Sequence, residues 1–142
     1  MSAPQERVAS MRIYVAGPLH DIEDVRAVQD AVTAAGHVLC HDWTRPEDAG
    51  VTSGYAGAPE ASASIATAAL DAVMSADAVL VVASGHDGRG MFVELGAALA
   101  RASTGSLRHV VVIGAIRHDS AFYHHPSVLR VPSVHDWLAL SD

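Results

Sequence analysis

The sequence predicts an α/β fold, an open doubly wound sheet of about five parallel strands with helices on both faces. Three observations predict it. Apolar runs rich in β-branched residues recur along the chain, as in RIYVAG, AVLVVAS and HVVVIGA. Segments with helical spacing separate them, the alternation that gives parallel strands joined by right-handed crossovers. The central runs are apolar throughout instead of alternating, which is the pattern of strands covered on both faces.

Each element follows from local chemistry. Residues 1–10 read as a flexible N-terminus and 11–142 as a single domain. Arg12–Gly17 is a strand ending in a Gly-Pro turn. Ile22, Val25, Val28, Gln29 and Val32 fall at helical spacing, and Gly36 is a natural stop. Val38–Trp43 reads as a short second strand. Thr44–Pro59 is dominated by Pro, Gly, Ser and Asp and reads as a long loop, a class that usually carries function or is disordered. The Ala-rich stretch from Glu60 to Asp77 is helical. Ala78–Ser84 is a buried strand, GHDGRG a turn, and Met91–Ala102 the next helix. HVVVIGA is a further strand. The tail holds a loop, a short strand near Val128–Val131 and a helix from about Ser133.

Composition narrows the function. The 142 residues carry 9 Lys+Arg against 16 Asp+Glu, a net charge of -7. That argues against nucleic acid or an anionic membrane as partner. A small anion remains compatible, because backbone N–H groups bind phosphate whatever the net charge. The single cysteine, Cys40, excludes an internal disulfide framework and suits a reducing cytoplasm. No apolar run has the length of a signal peptide or a membrane span. A cytoplasmic protein is expected.

Ligands of such sheets sit at the carboxyl ends of the strands, near the point where strand order reverses. Three stretches reach that edge: AGPLHD, HDWTRPE and SGHDGRGM. The glycines of GHDGRG let backbone approach a ligand, the helix start attracts an anion, and Arg89 adds a charge-assisted contact. A tight strand–helix connection explains the same residues equally well. Glu94 falls on the rim of the apolar face formed by Met91, Phe92, Leu95, Ala98 and Leu99, on the side of Arg101. Periodicity alone favours a first-turn acid stabilised by the helix dipole. At the second exit, Trp43 beside His41 and Asp42 either stacks on a ring or covers the core edge. His118, His124 and His125 lack metal-ligand spacing, so no metal is expected; they read as a polar loop near the ligand or a subunit contact, with His124 and His125 as pocket candidates.

IYVAGP, SADAVLVVAS and GRGMFVELGAALA, in order and spacing over Arg12–Arg101, resemble the nucleoside 2-deoxyribosyltransferase superfamily, which includes N-glycosidases of nucleoside 5'-monophosphates. The resemblance implies a flavodoxin-like fold, no cofactor, and assembly into dimers or larger homo-oligomers. It makes Glu94 the nucleophile on the anomeric carbon, Tyr14 its hydrogen-bonding orienter and Asp87 an acid/base helper. Gly17 and Pro18 would line the sugar or phosphate site. Arg89, with the backbone of Gly88 and Gly90 and the adjoining Met91, would hold a phosphate. Trp43 and Tyr55 would lie toward the base. The family's further acid, eight residues before Asp77, is absent: that position is Ala69, with Asp71 two positions off.

The expected activity is therefore cleavage or exchange of an N-glycosidic bond, with a small nucleoside or nucleotide as partner. The alternative is a non-catalytic nucleotide sensor on the same fold, which Ala69 favours. A phosphoryl-receiver reading needs a late lysine, and the chain has none.

Overall fold

The computed structural model describes residues 9–45, 54–83 and 88–140. Strands β1 (Arg12–Ala16), β2 (Val38–Leu39), β3 (Ala78–Val82), β4 (His109–Ile113) and β5 (Val128–Val131) alternate with helices α1 (Ile22–Ala34), α2 (Pro59–Ser75), α3 (Arg89–Ser103) and α4 (Val134–Leu140). Short 3-10 turns occupy Leu19–Asp21 and Ala121–His124. The sheet is five-stranded, ordered β2-β1-β3-β4-β5, and every pairing is parallel. This is the expected α/β, flavodoxin-like open sheet.

The strand pleat divides the core in two. Tyr14, Ala16, Val79, Val81, Val110 and Val112 point to one face and pack under α2 and α3. Ile13, Val15, Leu80, Val82, Val111 and Ile113 point to the other and pack under α1 and α4. Period-two alternation puts neighbouring side chains on opposite faces, so a strand covered on both sides must be apolar at every position. β3 is buried at all five of its residues.

The helices match their sequence signals. Val25, Val28, Gln29 and Val32 are the buried face of α1. Its end is a Schellman motif: Gly36 N–H bonds Thr33 O and His37 N–H bonds Val32 O, with Gly36 at φ +95°. Ser133 and Asp136 start α4 reciprocally, the Ser133 hydroxyl donating to Asp136 Oδ2 at 2.8 Å and accepting from Asp136 N–H at 3.3 Å. Arg101 ties α3 to α2 by donating to the carbonyls of Val73 and Ala76 at 2.7 and 2.8 Å.

Three boundaries differ from expectation. β2 ends at Leu39 instead of Trp43. Its continuation is diverted by Asp42, whose Oδ1 accepts from Thr44 N–H, Thr44 Oγ1–H and the Gln29 amide. α3 begins at Arg89, two residues before the predicted Met91. α2 begins at Pro59, which suits a residue without an N–H to bond. Of the predicted Thr44–Pro59 loop, residues 46–53 lie outside the described residues. No helix is long and apolar enough to cross a membrane among the described residues.

Candidate active site

The site is built at the carboxyl edge of the sheet, where β1 and β3 lie side by side and their connections leave in opposite directions. Strand order reverses there. β1 exits through Ala16, Gly17 and Pro18. Gly17 is required by the close approach of α1, because a Cβ on it would stand 2.5 Å from Val25 Cγ2. Pro18 reaches the start of α3: a Cβ on Gly88 would lie 3.2 Å from Pro18 Cγ and 3.1 Å from Met91 Cβ. Two connections far apart in sequence are thus in contact at the base of the site.

Tyr14 sits in the middle of β1 and its side chain enters the core under α2 and α3, with 1% of its surface exposed. Its hydroxyl donates to Glu94 Oε2 at 2.5 Å, joining residues 80 positions apart. Glu94 lies in the second turn of α3, not the first. The helix dipole fades beyond the first turn, so burial, not the dipole, governs this carboxyl. Glu94 shares its side of the helix with Arg101, since seven residues are close to two turns. The contacts of Arg101 with α2 therefore place Glu94 on the flank of α3 that turns toward α2 and β1.

The electrostatics of the pair follow from that position. Burial pushes the Glu94 carboxyl up to about 7, and the Tyr14 hydrogen bond offsets only part of the rise. Burial, then the Glu94 charge and hydrogen bond, raise the Tyr14 phenol far above its ordinary range. Tyr14 is accordingly a permanent neutral donor. Among the described residues Oε2 is held by that donor and Oε1 accepts no hydrogen bond. The result is a carboxylate with one oxygen fixed, the other without a donor among the described residues, and little solvation to stabilise its charge.

The remaining predicted residues separate. Gly88 is the buried N-cap of α3, and its carbonyl accepts from Phe92 N–H at 3.0 Å. Arg89 and Gly90 are exposed on the first turn. The Met91 side chain is 3% exposed and belongs to the core. The Trp43 indole N–H donates to Val15 O at 2.7 Å, and its ring packs against both core layers. Its core role is therefore the one realised. Asp87 lies outside the described residues. Tyr55 is exposed. Ala69 packs against the core, while Asp71 is exposed on the outer side of α2. Asp77 stands at the opposite, amino edge of the sheet, where its carboxylate accepts from Arg12 N–H at 2.8 Å.

His118, His124 and His125 lie in the segment between β4 and β5. His124 Nε2 is 2.9 Å from Asp119 Oδ1, and His125 Nδ1 accepts from Ser127 N–H at 3.0 Å. Among the described residues no group of three or more His, Cys, Asp or Glu is placed to share a cation.

Sequence reasoning missed the network that sets Trp43. Arg26 Nη2 donates to Thr44 O at 2.6 Å, and buried Gln29 holds Asp42. The Asp42-x-Thr44 spacing was the available signal, since an Asp side chain often bonds the backbone two residues on. Neither a scan of protein-family models nor searches of curated proteins and of solved structures finds a match to this chain.

Proposed function

We propose that this protein cleaves or exchanges the N-glycosidic bond of a nucleoside or nucleoside 5'-monophosphate, with Glu94 as nucleophile. The observation that supports this most is the Tyr14–Glu94 hydrogen bond of 2.5 Å at the strand-order reversal. A lone, desolvated carboxylate with one oxygen fixed suits capture of an oxocarbenium-like centre. Glu94 Oε1 would form an ester with the anomeric carbon as the carbon–nitrogen bond breaks. The electron pair of that bond leaves on the base, which takes up a proton. Water then attacks the same carbon and gives up a proton to solvent as the bond from that carbon to Glu94 breaks, releasing the sugar and restoring the carboxylate; a second base that loses its proton in place of water gives transfer.

Tyr14 supports both steps in this reading. It fixes the direction of the carboxylate and, as a neutral donor, stabilises the negative charge when Glu94 is regenerated. The approach of Pro18 to Gly88 brings the β1 exit and the start of α3 together, where a sugar or phosphate would rest. Assembly into a homo-oligomer belongs to the same reading. The outer side of α2, with Leu70 and Met74 exposed, is the surface it would use, and sedimentation of a monomer at micromolar concentration would count against that part.

The test is chromatography of deoxynucleosides and their monophosphates after incubation with the purified chain. Release of free base is expected, and its loss in Glu94→Gln with the fold retained. Undiminished release by that variant would remove the mechanism. Core-packed Ala69 in place of a base-facing acid favours the second reading, a nucleotide sensor. Ligand-dependent thermal stabilisation without release of base would select it.

A further inference from the structure

On α3 the side opposite Glu94 carries a second feature that the reading above does not use. Phe92 and Gly96 each lie two residues from Glu94, which is about 200° around a helix. They form one wall of a cleft of about 400 Å³ whose other wall is His118, Asp119, Ser120 and Phe122. That volume is within the range of small-molecule sites. Phe122 is 61% exposed, an unusual position for a phenyl ring on a protein surface.

Gly96 is the telling residue. Glycine inside a helix costs about 1 kcal/mol relative to alanine. Nothing in the fold asks for it here. Its φ is not positive, and a Cβ on it would meet nothing within 4 Å. What the missing side chain does leave is open space at the wall of the cleft.

The rim states the chemistry of an occupant. Asp119 Oδ1 already accepts from Ser120 N–H and faces His124 Nε2, both at 2.9 Å. These contacts, His124 first, keep the Asp119 carboxyl below its ordinary range, so it stays ionised. Its other oxygen is an acceptor directed by no described partner. Aromatic faces favour a flat ring, an ionised acceptor favours N–H groups on that ring, and the negative charge disfavours a phosphate.

We propose that this cleft is a second small-molecule site, for a flat amino-substituted nitrogen heterocycle of nucleobase size, with Phe92 and Phe122 against the ring, Gly96 providing the space and Asp119 accepting from its N–H edge. The site is independent of the Glu94 chemistry, because the body of α3 separates the two.

The test is a titration of free adenine into the full chain carrying Glu94→Gln, followed by amide NMR. That background lacks the proposed nucleophile, so the outcome is separate from that of the glycosidase reading. Saturable shifts are expected at Gly96, Ser120 and Phe122, weaker with adenosine 5'-monophosphate. Gly96→Leu, which fills the cleft with a good helix former, and Phe122→Ala should each weaken binding by about tenfold or more. Shifts that are absent, that cluster instead around Tyr14, or that survive Gly96→Leu overturn the proposal. So does a change in sedimentation of the ligand-free chain on Gly96→Leu without saturable adenine shifts, which would make the cleft a contact between copies of the chain.

Discussion

A carboxyl group that is desolvated without a cationic partner holds its proton longer in the folded chain than in the unfolded one. For Glu94 the folded value is about 7, against about 4.3 for a free glutamate. The sign follows directly. Its contribution to stability is complete below the unfolded value and is lost as pH rises through the folded one. Glu94→Gln keeps the shape and removes the charge. Calorimetry across about pH 4 to pH 7, the window between the two values, should find the parent chain losing melting temperature relative to Glu94→Gln as pH rises. A difference that does not change with pH would mean the carboxylate is well solvated. Tyr14→Phe removes the one described hydrogen bond that lowers the Glu94 value, so the acid limb of any Glu94-dependent rate should move to higher pH.

The second strand is shorter than its sequence suggests, and its missing rung is supplied by a side chain. In the β1–β2 ladder Val38 N–H bonds Met11 O and Cys40 N–H bonds Ile13 O, both at 2.9 Å. The next acceptor along β1 is Val15 O, and the Trp43 indole takes it at 2.7 Å. The Asp42 turn makes this possible by swinging the backbone out and the indole in. Trp43→Phe keeps an aromatic ring but leaves the carbonyl without this donor. It should cost about 1–2 kcal/mol in denaturant unfolding, and no measurable loss would show the bond to be dispensable. The helix pattern was legible because it needs only spacing: Val25, Val28 and Val32 are buried as read. The strand end was not legible, because Asp42 acts through Gln29 and Thr44, and that depends on α1 lying beside the β2 exit.

Over the whole molecule, β1, β3 and β4 form the interior of the sheet and β2 and β5 its edges. Interior amides open only with the global transition, whereas edge amides open by smaller excursions. Hydrogen exchange should therefore be slowest at Val79, Leu80 and Val111, and faster by several-fold or more at Leu129 and Arg130, which are exposed on β5. Equal protection at both would contradict a sheet whose stability is concentrated at its centre. The same arrangement explains why the active-site candidate sits where it does. At the junction of β1 and β3 a buried tyrosine on an interior strand meets the overlying helix α3.

What the sequence by itself determined is the fold class, the order of elements and the layers of the core. Those depend on periodicity and on unbroken apolar runs, which are local properties of a chain. Glu94 and Tyr14 were visible in it as residues on the rim of a helix and in a strand, with their pairing implied only by resemblance. The tertiary structure decided that they meet, that Trp43 turns inward, and that Gly96 faces a cleft rather than a neighbour. Each of those depends on the distance between groups far apart along the chain, and on how much water their packing removes, which no local pattern encodes.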